Sequence, residues 1–340
     1  MSKEKSSNNK KISLAEVARA AGVSKMTASR VLRDQGGFSE STRQKVMAEV
    51  ERLGYLPNRM ATAFAAGESS PFIGVSIPDL RNEAFAQILE GIDHKLGTFG
   101  HQTVLGLSRH LPEEEEKWIE KILSWQPAGL ILTGRVHSPR AITMLKNAAI
   151  PVVEMWDLNS SPLDMCVGLN HFDSGYQMGR FLIEKGHRKL GYVGTDHGVA
   201  NAAQSRWKGF AKAVQDGGGE VCDHHCLNDV PDFYPGYYGT EQLLNAHPGV
   251  QAIFFQNDNM AVGGYEFCEG HGLRIPDDIG IVGWGALPVL SVFRKKLTTV
   301  KVRHVRLGQL AAEKLLSTLH GSAVQPVSDV GYLTVPGATA

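Results

Sequence analysis

The feature that most constrains the fold is an alternation of short apolar strands with amphipathic helices that begins near residue 72. Because parallel strands need a crossover connection, this alternation predicts parallel sheets covered by helices on both faces. The predicted strands are Phe72–Ile77, Gln102–Leu107, Gly129–Thr133, Val152–Met155, Lys189–Val193, Ala252–Gln256, Gly280–Trp284 and Thr298–Val302. The 340-residue length accommodates two such sheets and one smaller domain.

Residues 12–57 have a different texture, in which helix caps follow one another closely. Ser13 and Glu16 form a capping-box pattern, and Ser24 and Ser39 precede two further segments with apolar residues at helical spacing. Gly54 is placed to end the last of these. The pattern predicts an all-α head whose second and third helices span about 25–33 and 40–53. The expected organisation is a tail at 1–11, a helix-turn-helix domain at 12–57, a hinge helix and linker at 58–70, and a larger domain at 71–340.

Charge is divided unevenly along a chain whose formal net charge is zero. Residues 1–67 hold 12 Lys and Arg against 6 Asp and Glu, so the remainder is acidic by the same margin. A basic head on an acidic body is expected when only the head meets a polyanion. The polar N-terminus, the lack of a long apolar run and four cysteines without a C-x-x-C pair predict a cytoplasmic protein with no membrane partner, metal or cofactor.

The first two helices predict a helix-turn-helix, with small residues at their crossing and polar side chains on the outer face of the second helix. Lys25 and Met26 stand where side chains enter a major groove, and Arg30 has the donors to read guanine. The candidate DNA-contacting residues here are Ser13, Ser24, Lys25, Met26, Thr27, Ser29 and Arg30. A surface helical hairpin with ordinary charges is the alternative interpretation.

Ordered motifs recur from the first helix to the last third of the chain. They are Ile12–Leu32, Ser39–Val46, Leu53–Arg59, Gly186–Arg188, Arg206–Phe210, Phe255–Ala261 and Ile275–Gly283. Together they resemble the lactose-repressor and galactose-repressor (LacI/GalR) family. The resemblance implies a homodimer on a near-palindromic double-stranded operator. It also implies that a hinge helix, with Asn58 and Arg59 at its start, enters the central minor groove.

In that family a leucine of the hinge wedges into the central base step, and this chain has Phe64 there. Phenylalanine also unstacks base steps in minor-groove binders, so the resemblance implies the same role. The alternative is an aromatic side chain that packs on the protein core.

The resemblance further implies that residues 71–340 fold like a periplasmic sugar-binding protein. Two doubly wound parallel-sheet lobes would enclose a ligand between the carboxyl ends of their strands. Lobe one is expected at about 71–169 and 300–325, and lobe two at about 170–299 and 326–340.

Several side chains are candidates to line this cleft. Arg206 falls on the family's ligand-contacting arginine, and Phe85 falls near an aromatic residue that stacks on ligand, although core packing also suits it. Either Asn257 or Asp258 is expected to face the ligand or to cap the following helix. The predicted ligand-binding residues are Phe85, Arg135, Trp156, Asp157, Arg206, Asn257, Asp258 and Trp284.

One departure from the family pattern suggests the ligand class. Most sugar-binding members carry an aspartate where this chain has Gly285, and a carboxylate there would repel an anion. With Arg206 retained and Arg135 as a second cation, we expect a sugar acid such as gluconate or 2-ketogluconate. The chain is therefore predicted to repress sugar-acid catabolism genes until such an effector binds. A neutral sugar, or action with a corepressor, is the alternative.

This expectation agrees with segments that resemble the family's gluconate-repressor branch: Leu111–Lys117, Leu123–Gly129 and Pro151–Asp157. Two further patterns are given ordinary interpretations. Cys222–Cys226 does not have the ligand spacing of a standard zinc site, and Glu113–Glu116 complement a helix dipole. A transport-type binding protein would need a signal peptide, and no catalytic motif supports an enzyme.

Overall fold

A computed structural model describes residues 12–57, 70–158, 160–195, 202–227 and 232–340. The chain divides into two units, the first ending at Ser70 and the second beginning at Pro71. No helix among the described residues is long and apolar enough to cross a membrane.

The first unit contains α1 (Leu14–Ala20), α2 (Lys25–Leu32) and α3 (Glu40–Leu53). The caps act as the sequence predicts: the Ser13 hydroxyl accepts from the Glu16 amide, and the Ser24 hydroxyl accepts from the Thr27 amide at 3.0 Å. The three helices share a small core of Val17, Ala18, Ala28, Val31 and Val46. The predicted all-α head is confirmed.

The second unit alternates strands with helices. Its elements are β1 (Phe72–Ile77), α4 (Glu83–Gly97), β2 (Gln102–Leu107), α5 (Pro112–Leu123), β3 (Gly129–Thr133), α6 (Pro139–Ala148), β4 (Val152–Asp157), β5 (Met165–Leu169), α7 (His171–Glu184), β6 (Lys189–Thr195), α8 (Ala202–Asp216), β7 (Glu220–Leu227), α9 (Phe233–Ala246), β8 (Ala252–Phe255), α10 (Asp258–Gly270), β9 (Gly280–Gly285), a 3-10 turn (Pro288–Val292), β10 (Thr298–Val302), α11 (His304–Leu319), β11 (Val327–Asp329) and β12 (Tyr332–Val335).

These strands form two six-stranded sheets, in the orders β11-β5-β4-β3-β1-β2 and β12-β10-β9-β8-β6-β7. Every pair in the first sheet is parallel, and in the second only β12 runs antiparallel to its neighbour β10. Strands buried on both faces, such as β3 and β9, show why the sequence has continuous apolar runs there. The predicted α/β class with two doubly wound lobes is confirmed.

The lobe boundaries differ from the expected ones. β10 belongs wholly to the second sheet, so the chain returns to lobe one only between Val302 and His304, where α11 begins and packs against α4. β11 pairs with β5 in lobe one, so residues 327–329 do not belong to lobe two as expected. A three-residue strand is too short for its sequence pattern to show which sheet it joins.

Candidate functional site

A cavity of about 190 Å³ lies in the second unit, between the two sheets. Its walls come largely from residues at or just beyond the carboxyl ends of β1, β2, β3, β4, β8 and β9, where open α/β sheets bind ligands, and the rest come from α4, α5 and α8. Both lobes contribute to this lining. Seven of the eight predicted ligand-binding residues line it: Phe85, Arg135, Trp156, Asp157, Arg206, Asn257 and Trp284.

Aromatic rings form the middle of the cavity wall. The Trp156 ring centroid lies 5.4 Å from that of Phe85 and 5.8 Å from that of Trp284. Phe85 is 5% exposed, so it serves both the core and the wall. Trp156 has a φ of 94°, a left-handed conformation that is costly for a bulky residue. Strain of this kind is often found at binding sites, where the fold holds a side chain in place.

Arg206 is the positively charged side chain that lobe two contributes to the described cavity lining, and it is only 4% exposed. Its guanidinium carbon lies 4.0 Å above the Trp284 ring, and Nη2 donates to the Gln256 carbonyl at 3.1 Å. Within the described part of the chain, its Nε atom has no hydrogen-bond partner. Burial lowers the pKa of Arg206 to about 10, which leaves it protonated at neutral pH. This cation therefore has donor capacity that the surrounding protein does not use.

His171 connects Arg206 to the opposite lobe. Its Nε2 donates to the Trp156 carbonyl at 2.9 Å, so its Nδ1 must be the atom that accepts from Arg206 Nη1 at 3.0 Å. Burial and the neighbouring guanidinium hold the pKa of His171 well below its ordinary value. A neutral imidazole of fixed tautomer thus bridges one cavity residue from each lobe.

Arg135 lines the cavity, but its donors are used by the protein. Nε lies 3.2 Å from Glu154 Oε1, while Nη1 and Nη2 donate to the Asp157 and Ser160 carbonyls at 2.8 and 2.9 Å. The Glu154 side chain is itself only 3% exposed, so the pair is buried. The expectation that Arg135 supplies a second available cation is corrected by this pairing.

The two polar residues after β8 have different positions. The Asn257 side chain accepts from the Met260 amide at 2.9 Å, which caps α10, and Asn257 also lines the cavity. Asp258 does not line the cavity, which corrects its predicted place there. It is fully buried and accepts from the Leu287 amide at 2.7 Å and from the Thr299 hydroxyl at 2.6 Å. Burial raises its pKa to about 6.

Two lining residues, His110 and Glu115, were not among the predicted site residues. His110 Nε2 lies 2.9 Å from Asp79 Oδ2, and its own φ of 60° is in the left-handed region. Glu115 is 5% exposed and contacts His137 Nδ1. The helix-dipole interpretation of Glu113–Glu116 did not predict that Glu115 is buried in the cavity wall. The left-handed backbone and the tertiary pair have no signal in the local sequence pattern.

In the first unit, the predicted DNA-contacting side chains lie on or beside α2. Lys25, Met26 and Arg30 are exposed, Met26 to 73%. The Ser24 and Thr27 hydroxyls lie 2.9 Å apart, and Ser29 is half-buried. Ser13 is occupied by its capping box at the start of α1. The predicted hinge residues Asn58, Arg59 and Phe64 lie outside the described residues.

Cys222–Cys226 lies on the edge strand β7. The His224 ring stacks on Trp207 with centroids 3.9 Å apart, which gives this motif a packing role. Among the described residues, no group of three or more His, Cys, Asp or Glu side chains is arranged to hold a metal ion.

Two family models match the chain, one for each unit. Residues 13–58 match the model of bacterial regulatory proteins of the lacI family. Residues 70–329 match that of periplasmic binding proteins and the sugar-binding domain of the LacI family.

Individual proteins match over nearly the whole length. The HTH-type transcriptional regulator GntR of Escherichia coli strain K12 is 35% identical over 96% of this chain and 98% of its own. A LacI-family transcriptional regulator from Silicibacter pomeroyi has a crystal structure similar to this one, with a TM-score of 0.91 and 33% identity over 96% of this chain and 99% of that chain. The lac repressor dimer bound to operator and the anti-inducer ONPF gives a TM-score of 0.86 at 27% identity, covering 97% of this chain and 99% of that chain.

Proposed function

Because the chain belongs to the LacI family of bacterial regulatory proteins, we propose that it is a repressor of sugar-acid catabolism genes that leaves its operator when a sugar acid binds. Its relatives are DNA-binding transcriptional regulators, and it is one of these and not an enzyme. Similarity to GntR agrees with the resemblance to the gluconate-repressor branch. The effectors proposed are gluconate and 2-ketogluconate.

The observation that carries the effector class is the state of Arg206. A buried guanidinium is costly unless charge and hydrogen bonds compensate it. Its hydrogen-bond partners among the described residues are an imidazole nitrogen and a carbonyl oxygen, and the Asp157 carboxylate acts on it through Coulomb attraction and not through a hydrogen bond. A ligand carboxylate would supply the missing charge through a bidentate pair. This supports an anion at the lobe-two side of the cavity.

Gly285 bears on the same conclusion from a position outside the cavity lining. The nearest carboxylate, Asp258, lies 3.3 Å from where a side chain on Gly285 would begin, and it is held by Leu287 and Thr299 outside the cavity lining. A further carboxylate at position 285 would repel an anion nearby. At ~4 Å that repulsion amounts to about 1 kcal/mol in water-like surroundings and about 4 kcal/mol at an effective dielectric of 20.

For DNA, we propose a homodimer whose two α2 helices occupy successive major grooves of a near-palindromic operator. Arg30 would read bases, while Ser13, Ser24 and Thr27 would contact phosphates and set the register. The exposure of Lys25, Met26 and Arg30 supports this role. Asn58, Arg59 and Phe64 are proposed to enter the central minor groove.

The coupling between effector and operator is proposed to act through the relative position of the lobes. The chain crosses between them near residues 170, 303 and 330. A ligand that contacts both lobes favours one arrangement, and it shifts the population only by its difference in affinity for the two arrangements. In a dimer, that shift changes the spacing of the paired DNA-binding heads.

The test is operator release, measured by fluorescence anisotropy of a labelled duplex selected from a random library by the purified protein. Gluconate or 2-ketogluconate should lower operator affinity by about 5- to 150-fold, while glucose at equal concentration should not. Release by glucose alone would support the neutral-sugar alternative, which the cavity carboxylates Glu115 and Asp157 favour. Tighter operator binding with a sugar acid would instead indicate corepression.

A further inference from the structure

The geometry points to Glu115 as the residue that recognises the ligand's hydroxyl groups from lobe one, held in position by His137. This inference rests on the proposed function and deepens it. It assigns the two ends of a sugar acid to opposite walls of the cavity: the carboxylate to Arg206 in lobe two and the hydroxyl chain to Glu115 in lobe one.

The placement of Glu115 separates it from the other acids of its turn. Glu113 is exposed, and Glu114 pairs with Lys117 at 2.6 Å on the surface of α5. Glu116 contacts Ser138 and Arg140 and does not line the cavity. Glu115 alone of the four both lines the cavity and is buried. Interaction with the helix dipole therefore does not explain why the Glu115 carboxylate is buried in the cavity wall.

A buried imidazolium supports this carboxylate. The His137 side chain is 2% exposed; its Nδ1 contacts Glu115, and its Nε2 lies 3.4 Å from Glu154 Oε1. Burial opposes a charged imidazole, but the Glu115 and Glu154 carboxylates outweigh it and raise the pKa of His137 to about 9. A protonated His137 donates to Glu115 and fixes its orientation, as supporting residues do in preorganised sites.

The Glu115 and Glu154 carboxylates differ in whether they leave an oxygen atom available to accept a hydrogen bond from a ligand. Glu154 uses both oxygens: Oε1 accepts from Arg135, and Oε2 accepts from the Leu163 amide. Glu115 uses Oε2 for His137, and within the described residues its Oε1 forms no hydrogen bond. Glu154 is thus satisfied inside the protein, whereas Glu115 presents an acceptor to the cavity.

An ionised acceptor of this kind selects hydroxyl donors. A hydroxyl that donates to a carboxylate forms a short, charge-assisted hydrogen bond, whereas a ligand carboxylate at the same place is repelled. Because Arg206 attracts that carboxylate from the opposite lobe, the two walls impose one orientation. A ligand held at both ends bridges the lobes.

The experiment is a double-mutant cycle in which calorimetry compares gluconate with its monodeoxy analogues on the wild type and on Glu115→Gln. Loss of the recognised hydroxyl should weaken wild-type binding by about 10- to 100-fold. Glu115→Gln should weaken gluconate binding by a similar factor and should no longer distinguish gluconate from that analogue. Glu116→Gln, one residue further along α5, is the matched control and should bind all ligands as the wild type does.

Four outcomes would overturn the inference. Equal wild-type affinity for gluconate and every monodeoxy analogue would do so without any mutation, and so would Glu115→Gln with wild-type gluconate affinity. If Glu115→Gln does not fold, Glu115→Asp, which keeps the charge but draws it back, should lose the same discrimination in part; full discrimination would count against the inference. Failure of the wild type to bind any sugar acid would overturn the proposed function as well.

Discussion

The DNA-binding head and the effector cavity hold their arginines in opposite environments. Arg30 in the head is exposed, whereas Arg206 in the cavity is 4% exposed and lies over an indole ring. An exposed cation keeps its hydration, costs the fold little and is free to meet a polyanion. A buried cation must be compensated, so whatever the protein leaves unpaired indicates what the ligand supplies. Substitution of exposed charges in the head should therefore affect DNA binding alone. Substitution of buried charges in the cavity should affect stability, ligand binding or both.

The largest effect is expected from Arg135, the cavity arginine that is fully paired. Arg135→Met leaves Glu154 buried with only the His137 imidazolium, 3.4 Å from its Oε1, as a cationic partner, and should reduce the free energy of unfolding by up to about 3–5 kcal/mol. Denaturant unfolding of wild type and variant measures this. Arg140→Met, which removes two exposed ion pairs between α6 and α5, is the control and should change stability little. An unchanged midpoint for Arg135→Met would show that its pairing with Glu154 is not needed for stability.

Arg206→Met should show the reverse pattern. Gluconate affinity should fall by about 100-fold, equivalent to about 3 kcal/mol, because the ligand carboxylate loses its partner. Stability should be unchanged or higher, since an under-compensated buried cation is removed. Calorimetry and denaturant unfolding report the two quantities, and operator binding without effector should stay at the wild-type level. A large loss of stability would make Arg206 structural and break the contrast with Arg135.

The imidazolium in the lobe-one wall predicts a pH dependence. Because the pKa of His137 is raised from 6.5 to about 9 in the folded protein, its contribution is complete below about pH 6.5 and is lost as the pH rises through about 9. The contribution should reach roughly 3 kcal/mol. The difference in unfolding free energy between wild type and His137→Gln should shrink across this window. A difference that stays constant up to about pH 10 would contradict a charged His137.

The smallest effect is expected in the head. Arg30→Ala should cost about 1–3 kcal/mol in operator affinity and relax base preference at one position, because a base contact is removed. The melting temperature should not change. Arg52→Ala, which removes an exposed arginine paired with Glu49 on α3, is the control and should keep the wild-type base preference. An unchanged base preference in Arg30→Ala would remove its readout role.

The sequence predicted well what local rules determine. Caps such as Ser13 and Ser24 fix where helices begin, and apolar runs such as Gly129–Thr133 mark strands buried on both faces. β5, Met165–Leu169, is an apolar run that was missed among the predicted strands. β7, with the polar sequence Glu220–Leu227, and the short strands β11 and β12 lacked that signal. Their places depend on pairing with strands distant in sequence, which no local pattern reports.

The cavity shows the same division between local and tertiary information. Strand ends located Trp156, Asp157 and Trp284, because a strand's carboxyl end faces the cleft. Pairing could not be predicted in this way. Glu154 on β4 neutralises Arg135, which follows β3, and His137, in the connection between β3 and α6, holds Glu115 on α5. Neither Glu154 nor His137 is close in sequence to the residue it pairs with. The sequence therefore led us to count Arg135 as a cation available to the ligand, although it is already paired.

The central claim is that the cavity selects an anionic sugar acid through Arg206, and paired calorimetric titrations of gluconate and glucose into the wild-type protein test it most directly. Gluconate should bind at least about 10-fold more tightly, and this preference should disappear in Arg206→Met. Equal or tighter binding of glucose to the wild type would contradict the account.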